Sequence, residues 1–79
     1  MIFLFTSKDC PNCKTAKKLL TSLKKAFKEK DIDTSDGMTD YYFYNKNNHI
    51  GLPMIIEVDE HEEFVKDLTG DYGERIGHK

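Results

Sequence analysis

Tryptophan, long apolar runs and internal repeats are absent from this 79-residue sequence, and cysteine and proline occur only twice each. The apolar run at residues 1–5 ends at Thr6, Ser7 and Lys8. It is too short for a signal peptide or for a membrane-spanning helix, which needs about 20 apolar residues. We therefore expect a cytoplasmic protein with no membrane partner. A chain of this length makes one domain, so residues 1–79 are predicted to fold as a single unit.

Both cysteines lie in the segment CPNC, where Pro11 and Asn12 separate Cys10 from Cys13. A disulfide across so short a loop removes little entropy from the unfolded chain, so a purely structural role explains the pair poorly. In a cytosolic protein this spacing indicates redox catalysis or metal binding. A zinc site usually needs about four ligands, and the sequence has no second CxxC and no close histidine pair. Redox chemistry without metal ligands is favoured, and a metal-binding or redox-inactive interaction module is the alternative.

The charges are distributed unevenly along the chain. Residues 1–30 carry eight lysines and two acids, whereas residues 31–79 carry four basic and twelve acidic residues. A solvated basic helix and a solvated acidic remainder explain this pattern, and the functional interpretation is a positive field around the cysteines. The acidic half opposes binding to nucleic acid and no motif supports it, so no nucleic-acid partner is expected.

The apolar pattern predicts the element order β-α-β-α-β-β-α. The run at residues 2–5 is typical of a buried strand. Apolar residues at helical spacing from Pro11 to Phe27 predict an amphipathic helix of about five turns. Met38 and Met54 are expected in the core. The other predicted elements are a weak strand at 31–35, a helix capped by Asp36, hairpin strands at 54–58 and 64–68, and a short closing helix capped by Asp71.

The position of Cys10 favours a reactive thiolate. This residue falls between a strand and a helix, where free backbone N–H groups and the helix dipole stabilise negative charge. Such surroundings lower the pKa of a cysteine, and Lys8 and Lys14 add to the effect if their side chains turn that way. Cys13 lies one turn further along the helix, where it would be more buried. We therefore predict that Cys10 attacks a target disulfide and that Cys13 resolves the mixed disulfide.

The succession of a strand, CPNC, a helix, DIDTSDG and GLPM before a hairpin resembles the thioredoxin/glutaredoxin superfamily, especially its minimal glutaredoxin-like redoxins. The resemblance implies a thioredoxin-like α/β fold whose four-stranded mixed sheet is flanked by helices. It implies that Cys10 attacks and Cys13 resolves, that Pro53 is a cis-proline facing the site, and that the backbone of Leu52 pairs with the substrate. Without it, Pro53 would be expected to be trans. Similar small redoxins donate electrons to ribonucleotide reductase, so a protein disulfide is the expected substrate.

Several positions depart from the glutaredoxin pattern. An aromatic residue often lies between the cysteines, where this chain has Asn12, and a basic residue often lies three before the first cysteine, where it has Ser7. The glutathione site of glutaredoxins uses Gly-Gly followed by a polar pair. This chain matches that motif only with the segment TGD at 69–71. These changes weigh against glutathione binding. The candidate substrate-binding residues are Lys8, Pro11, Asn12, Leu52, Pro53, Gly70 and Asp71.

The thioredoxin pattern is incomplete as well. Thioredoxins carry a buried acid six residues before the first cysteine, and this chain has Leu4 there. His49 is a candidate for tuning a thiol. No cofactor is expected beyond the redox-active disulfide of Cys10 and Cys13. The chain is predicted to be a monomeric dithiol donor that is reduced by a thioredoxin-reductase-type enzyme, with glutathione as the alternative reductant.

Overall fold

The computed structural model describes residues 1–45 and 51–73. The predicted order β-α-β-α-β-β-α is confirmed. The elements are β1 (Ile2–Thr6), α1 (Pro11–Ser22), β2 (Phe27–Asp31), α2 (Ser35–Tyr44), β3 (Met54–Val58), β4 (Phe64–Asp67) and α3 (Thr69–Gly73).

The four strands form one mixed sheet in the order β2-β1-β3-β4. Strand β1 pairs with β2 in parallel and with β3 antiparallel, and β3 and β4 form an antiparallel hairpin. A parallel pair requires a crossover connection, which α1 supplies. All five residues of β1 are buried because this central strand is covered on both faces.

Alternating residues of the central strands serve two hydrophobic cores, one on each face of the sheet. On one face, Ile2 and Leu4 pack with residues from α1 and with Leu68, which precedes α3. On the other face, Phe3 and Phe5 pack with α2. The sheet therefore carries α1 and α3 on one side and α2 on the other, which is the predicted thioredoxin-like α/β architecture.

Helix α1 ends five residues before Phe27, so the prediction of about five turns is wrong. Lys24 adopts a left-handed backbone with φ 57°. Its N–H donates to the Thr21 carbonyl, and the Lys25 N–H donates to the Leu20 carbonyl, both at 3.0 Å. These two bonds form a Schellman motif, which usually has glycine at the left-handed position. Because lysine rather than glycine occupies that position, the end of the helix could not be predicted from the sequence.

Strand β2 lies at Phe27–Asp31, so the predicted strand at 31–35 begins four residues too late. Its residues pair in parallel with β1, from Ile2 opposite Phe27 to Thr6 opposite Asp31. The strand is at the edge of the sheet and is mostly charged, as is common for edges that must avoid pairing with other chains. Ile32, the apolar residue that suggested the later strand, packs just beyond it against the α2-side core.

Helix α2 is capped by Thr34 rather than by Asp36. The Thr34 Oγ1 accepts the Gly37 N–H at 3.0 Å, and Asp36 lies in the first turn. The helix turns Gly37 and Tyr44 toward the sheet, whereas Met38 is 36% exposed, so its predicted place in the core is wrong. Met54 is fully buried, as predicted.

The hairpin agrees with the prediction at β3 and is one residue shorter at the end of β4. The predicted cap Asp71 instead lies in the first turn of α3, which begins at Thr69. The buried Thr69 Oγ1 accepts the Ile55 N–H at 2.9 Å and so ties α3 to the central sheet. The rest of the predicted closing helix falls outside the described residues. Within the described ranges, no helix has the length and apolarity needed to cross a bilayer.

Candidate active site

Cys10 is the N-cap residue of α1. Its backbone is extended, and its Sγ accepts the Cys13 N–H at 3.1 Å. Pro11 occupies the first helical position, where a missing N–H costs no hydrogen bond. Cys10 and Cys13 form a disulfide, with their Cα atoms 5.2 Å apart. The local sequence alone therefore brings both sulfurs to the positive end of a helix.

The two cysteines differ in exposure. Cys10 is half-buried at the surface, whereas Cys13 is only 1% exposed beneath it. An incoming disulfide can therefore reach Cys10 but not Cys13. This arrangement agrees with the predicted order of attack and resolution, and the two chemical roles remain a prediction.

The Leu52–Pro53 peptide bond is cis, as the family resemblance implied. Pro53 is buried, while Leu52 is half-buried and lines the same groove as Cys10. The turn before it contains Gly51 with φ 94°, a left-handed conformation that favours glycine. The loop that opens β3 thus meets the N-terminus of α1 although about forty residues separate them in the sequence.

A shallow groove of about 540 Å³ runs from the disulfide along α2. Cys10, Pro11 and Asn12 form one end, and most of the remaining lining is apolar or aromatic. Asn12 is half-buried at this end of the groove. The other lining residues are Ser7, Asp9, Ile32, Met38, Tyr41, Tyr42, Gly51 and Leu52.

Two tyrosines of α2 shape the groove. Tyr41 packs edge-on against Phe5, and burial, followed by the neighbouring Tyr42, raises the pKa of its phenol. Tyr41 therefore stays protonated at neutral pH, and its hydroxyl donates to the Gly51 carbonyl at 3.5 Å. Tyr42 is 71% exposed. The sequence does not predict this groove, because only the tertiary fold places α2 beside Cys10.

Other predicted site residues lie apart from this groove. Lys8 is exposed, and its backbone N–H donates to Asp33 at 3.1 Å. Gly70 is exposed in the first turn of α3, and Asp71 lines a different pocket that also contains Met1. The described lining of the groove includes none of these three residues. His49 lies outside the described residues.

Metal ligands were not predicted for this chain. Among residues 1–45 and 51–73, no three His, Cys, Asp or Glu side chains are grouped so that they could hold a metal ion.

A thioredoxin-like sheet, a CxxC disulfide at the start of α1 and a cis-proline before β3 together define a thiol–disulfide oxidoreductase. The glutaredoxin family model matches residues 2–44, which is 43 of the 79 residues. The chain therefore belongs to the glutaredoxin family. No curated protein sequence matches it significantly.

Solved structures share the fold along nearly the whole chain. The thioredoxin-like protein BC3987 superposes with a TM-score of 0.63 at 20% identity, covering 96% of this chain and 99% of its own. Glutaredoxin 1 from Francisella tularensis, solved in complex with cacodylate, has a TM-score of 0.57 at 21% identity. That match covers 99% of this chain and 96% of the other. At these sequence identities, the two similarities establish a shared fold and no more.

Proposed function

We propose that this protein is a dithiol electron donor that reduces disulfides in other proteins. The observation that carries the proposal is the difference in exposure between Cys10 at the surface and Cys13 beneath it. A monothiol mechanism needs only the outer cysteine, whereas a dithiol mechanism needs a second sulfur that is shielded from solvent yet within reach of the first.

The reaction transfers two electrons in two exchanges. In the reduced protein, the Cys10 thiolate attacks one sulfur of the target disulfide; the target S–S bond breaks and one target thiolate leaves. Cys13 then loses its proton and attacks Cys10, so the mixed disulfide breaks and the second target thiolate leaves. The Cys10–Cys13 disulfide forms, and the two target thiolates take up protons from solvent, which leaves the target as a dithiol.

Groups next to Cys10 stabilise the thiolate that begins the reaction. The Cys13 N–H already points at the Cys10 sulfur at 3.1 Å, and Pro11 sets the backbone of the first helical position. A negative charge on Cys10 would meet this donor together with the helix dipole. The mechanism therefore needs no group beyond the cysteines and the N-terminus of α1 for its first step.

The groove supports a protein rather than a small molecule as substrate. It is open and is lined largely by apolar and aromatic side chains, including Met38, Tyr42 and Leu52. Such a surface suits a polypeptide segment that presents a disulfide to Cys10. In this proposal the Leu52 backbone next to the cis-proline pairs with that segment, while Pro11 and Asn12 contact it from the other side. Ribonucleotide reductase is one candidate target of this kind.

The upstream donor that we propose is a thioredoxin-reductase-type enzyme, acting on a cytoplasmic monomer. Glutathione is the second candidate, favoured by membership of the glutaredoxin family. Against it, Asp71 lines a pocket with Met1 rather than the groove beside Cys10. Reduction of the same oxidised protein by glutathione and by a thioredoxin reductase with NADPH distinguishes the two donors.

Insulin reduction tests the dithiol mechanism. Cys10→Ser is expected to abolish turnover, and Cys13→Ser is expected to stop after one mixed disulfide per chain, detectable by mass spectrometry. Full activity of Cys10→Ser would show that the mechanism is wrong. Turnover of Cys13→Ser with glutathione at the wild-type rate would replace it with a monothiol, glutathione-dependent mechanism.

A further inference from the structure

The resolving step needs an acceptor for the Cys13 proton, and the site described above supplies none. Cys13 must lose a proton before it attacks Cys10, but it is 1% exposed and cannot pass that proton directly to bulk water. The position six residues before Cys10 holds the fully buried Leu4, which cannot accept a proton. The acceptor must therefore reach Cys13 from another part of the fold.

Cys13 lines a second cavity, separate from the groove, with a volume of about 230 Å³. A water molecule in the liquid occupies about 30 Å³, so this cavity has room for several. Its walls are mostly polar, and they include the Thr6 hydroxyl at the end of β1. The charged side chains that face it come from the loop before α1, from α1 and from β2: Lys8, Lys14, Lys17, Glu29 and Asp31.

Glu29 is the carboxylate best placed in this cavity. It lies on β2 directly opposite Leu4 in the parallel register, on the face of the sheet that packs against α1. Its Oε2 accepts the Thr6 hydroxyl at 2.7 Å, and its Oε1 lies 3.3 Å from the Lys17 Nζ. The Glu29 side chain is 38% exposed, so it connects the cavity to solvent. Thr6, by contrast, is buried.

We propose that Glu29 is a positioning residue for the resolving step, receiving the Cys13 proton through the Thr6 hydroxyl and water in this cavity. The inference rests on the dithiol function proposed above. As the Cys13 S–H bond breaks, the proton moves to the Glu29 carboxylate. The Cys13–Cys10 bond forms, the Cys10–target bond breaks, and the target leaves as a thiolate. Glu29 then releases the proton to solvent, so no further reactant is needed.

The neighbouring charges act on the same step. Lys8, Lys14 and Lys17 favour a thiolate at Cys13, whereas Asp31 opposes it. Lys17 also forms an ion pair with Glu29, with the Lys17 Nζ 3.3 Å from the Glu29 Oε1. Because both ends of the pair reach solvent, the ion pair contributes little to stability. Removing the Glu29 charge should therefore alter kinetics more than folding.

Stopped-flow mixing of the fully reduced protein with 5,5′-dithiobis(2-nitrobenzoate) separates the two thiol reactions. The first equivalent of thionitrobenzoate is released when Cys10 attacks, and the second is released when Cys13 resolves the Cys10 adduct. We expect Glu29→Gln to slow the second phase about tenfold near pH 7 and to change the first by less than about twofold. A directly contacting general base typically contributes about 10²–10⁴-fold, and an indirect route contributes less.

The pH profile distinguishes proton transfer from packing. The Glu29→Gln and wild-type second phases should converge as the pH rises, because hydroxide can then remove the Cys13 proton without an acceptor in the protein. Thr6→Val should reproduce the effect, Thr6→Ser should restore the rate, and the Glu29→Gln/Thr6→Val double variant should be no slower than either single variant. Glu60→Gln is the matched control, since Glu60 is an exposed acid of the hairpin turn and should leave both phases unchanged.

Two results would overturn the inference while leaving the dithiol function intact. One is an unchanged second phase in Glu29→Gln at pH 7. The other is slowing by the same factor at every pH, which would indicate a packing role. Release of only one equivalent by the wild-type protein would instead overturn the dithiol function and this inference with it.

Discussion

The close approach of α2 to β2 makes Gly37→Ala a sharp test of the fold. A Cβ at Gly37 would collide with the backbone carbonyl of Asp31. That carbonyl also accepts the Thr34 N–H at 3.1 Å and the Thr34 hydroxyl at 2.7 Å, in the turn that leads into α2. The colliding atoms are backbone on one side, so rotation of a side chain cannot relieve the contact. The helix must move away from the sheet, or the turn must break.

The expected magnitude follows from three contributions. Replacing glycine by alanine inside a helix normally stabilises by about 0.5–1 kcal/mol. Overpacking at a tight contact costs about 1–3 kcal/mol, and each hydrogen bond lost from the turn costs about 1 kcal/mol more. Gly37→Ala should therefore destabilise the protein by a net of about 1–4 kcal/mol, opposite in sign to the helix-propensity effect alone.

Urea denaturation of the oxidised protein, followed by far-UV circular dichroism, measures this difference. Gly70→Ala is the matched control, because nothing lies within 4 Å of a Cβ built at that exposed helical position. It should leave the free energy of unfolding unchanged or raise it by up to about 1 kcal/mol. A Gly37→Ala variant as stable as the wild type, or more stable, would refute the close contact between α2 and β2.

Three further predictions concern the core, the groove and the hairpin. Leu20→Ala removes a fully buried side chain of α1 and should destabilise by about 2–5 kcal/mol in the same urea assay. Tyr42→Ala should raise the KM for insulin several-fold without changing the rate of the first phase with dithiobis(nitrobenzoate). Phe43 is an exposed neighbour outside the groove lining, so Phe43→Ala should change neither the KM nor that rate. Backbone N–H groups of Glu63 and His61 lower the pKa of Asp59, so its carboxylate stabilises the hairpin above its ordinary pKa of about 3.8. Asp59→Asn should therefore lower Tm at pH 7, and the gap should close as the pH falls below about 4; an equal gap at both pH values would contradict the assignment.

The cis-proline of the site could be predicted only from the family resemblance. Before a strand, proline is ordinarily trans, and nothing near Pro53 in the sequence indicates otherwise. The resemblance to the superfamily implied the cis bond that the structure has. The same resemblance flagged Leu4 as a missing acid. The parallel register then placed Glu29 beside it, which no pattern along one strand could reveal.

Local sequence determined the elements whose signals are complete within a few residues. CPNC sets an N-cap cysteine, a proline at the first helical position and a second cysteine one turn later. The segment MIIEV forms the strand at the predicted residues 54–58. These features depend on backbone preferences and on side-chain period, which act over neighbouring residues.

Tertiary structure decided the rest, because the deciding contacts join residues far apart in the chain. A lysine in the left-handed position ended α1, and pairing with β1 drew a charged segment into β2. Packing of Gly37 against Asp31 turned Met38 outward and placed α2 along the groove beside Cys10. Pairing of β2 with β1 likewise brought Glu29 to the cavity of Cys13. Burial and hydrogen bonding across the sheet outweigh local propensities of a few tenths of a kcal/mol per residue, so these outcomes emerge only when the whole chain is folded.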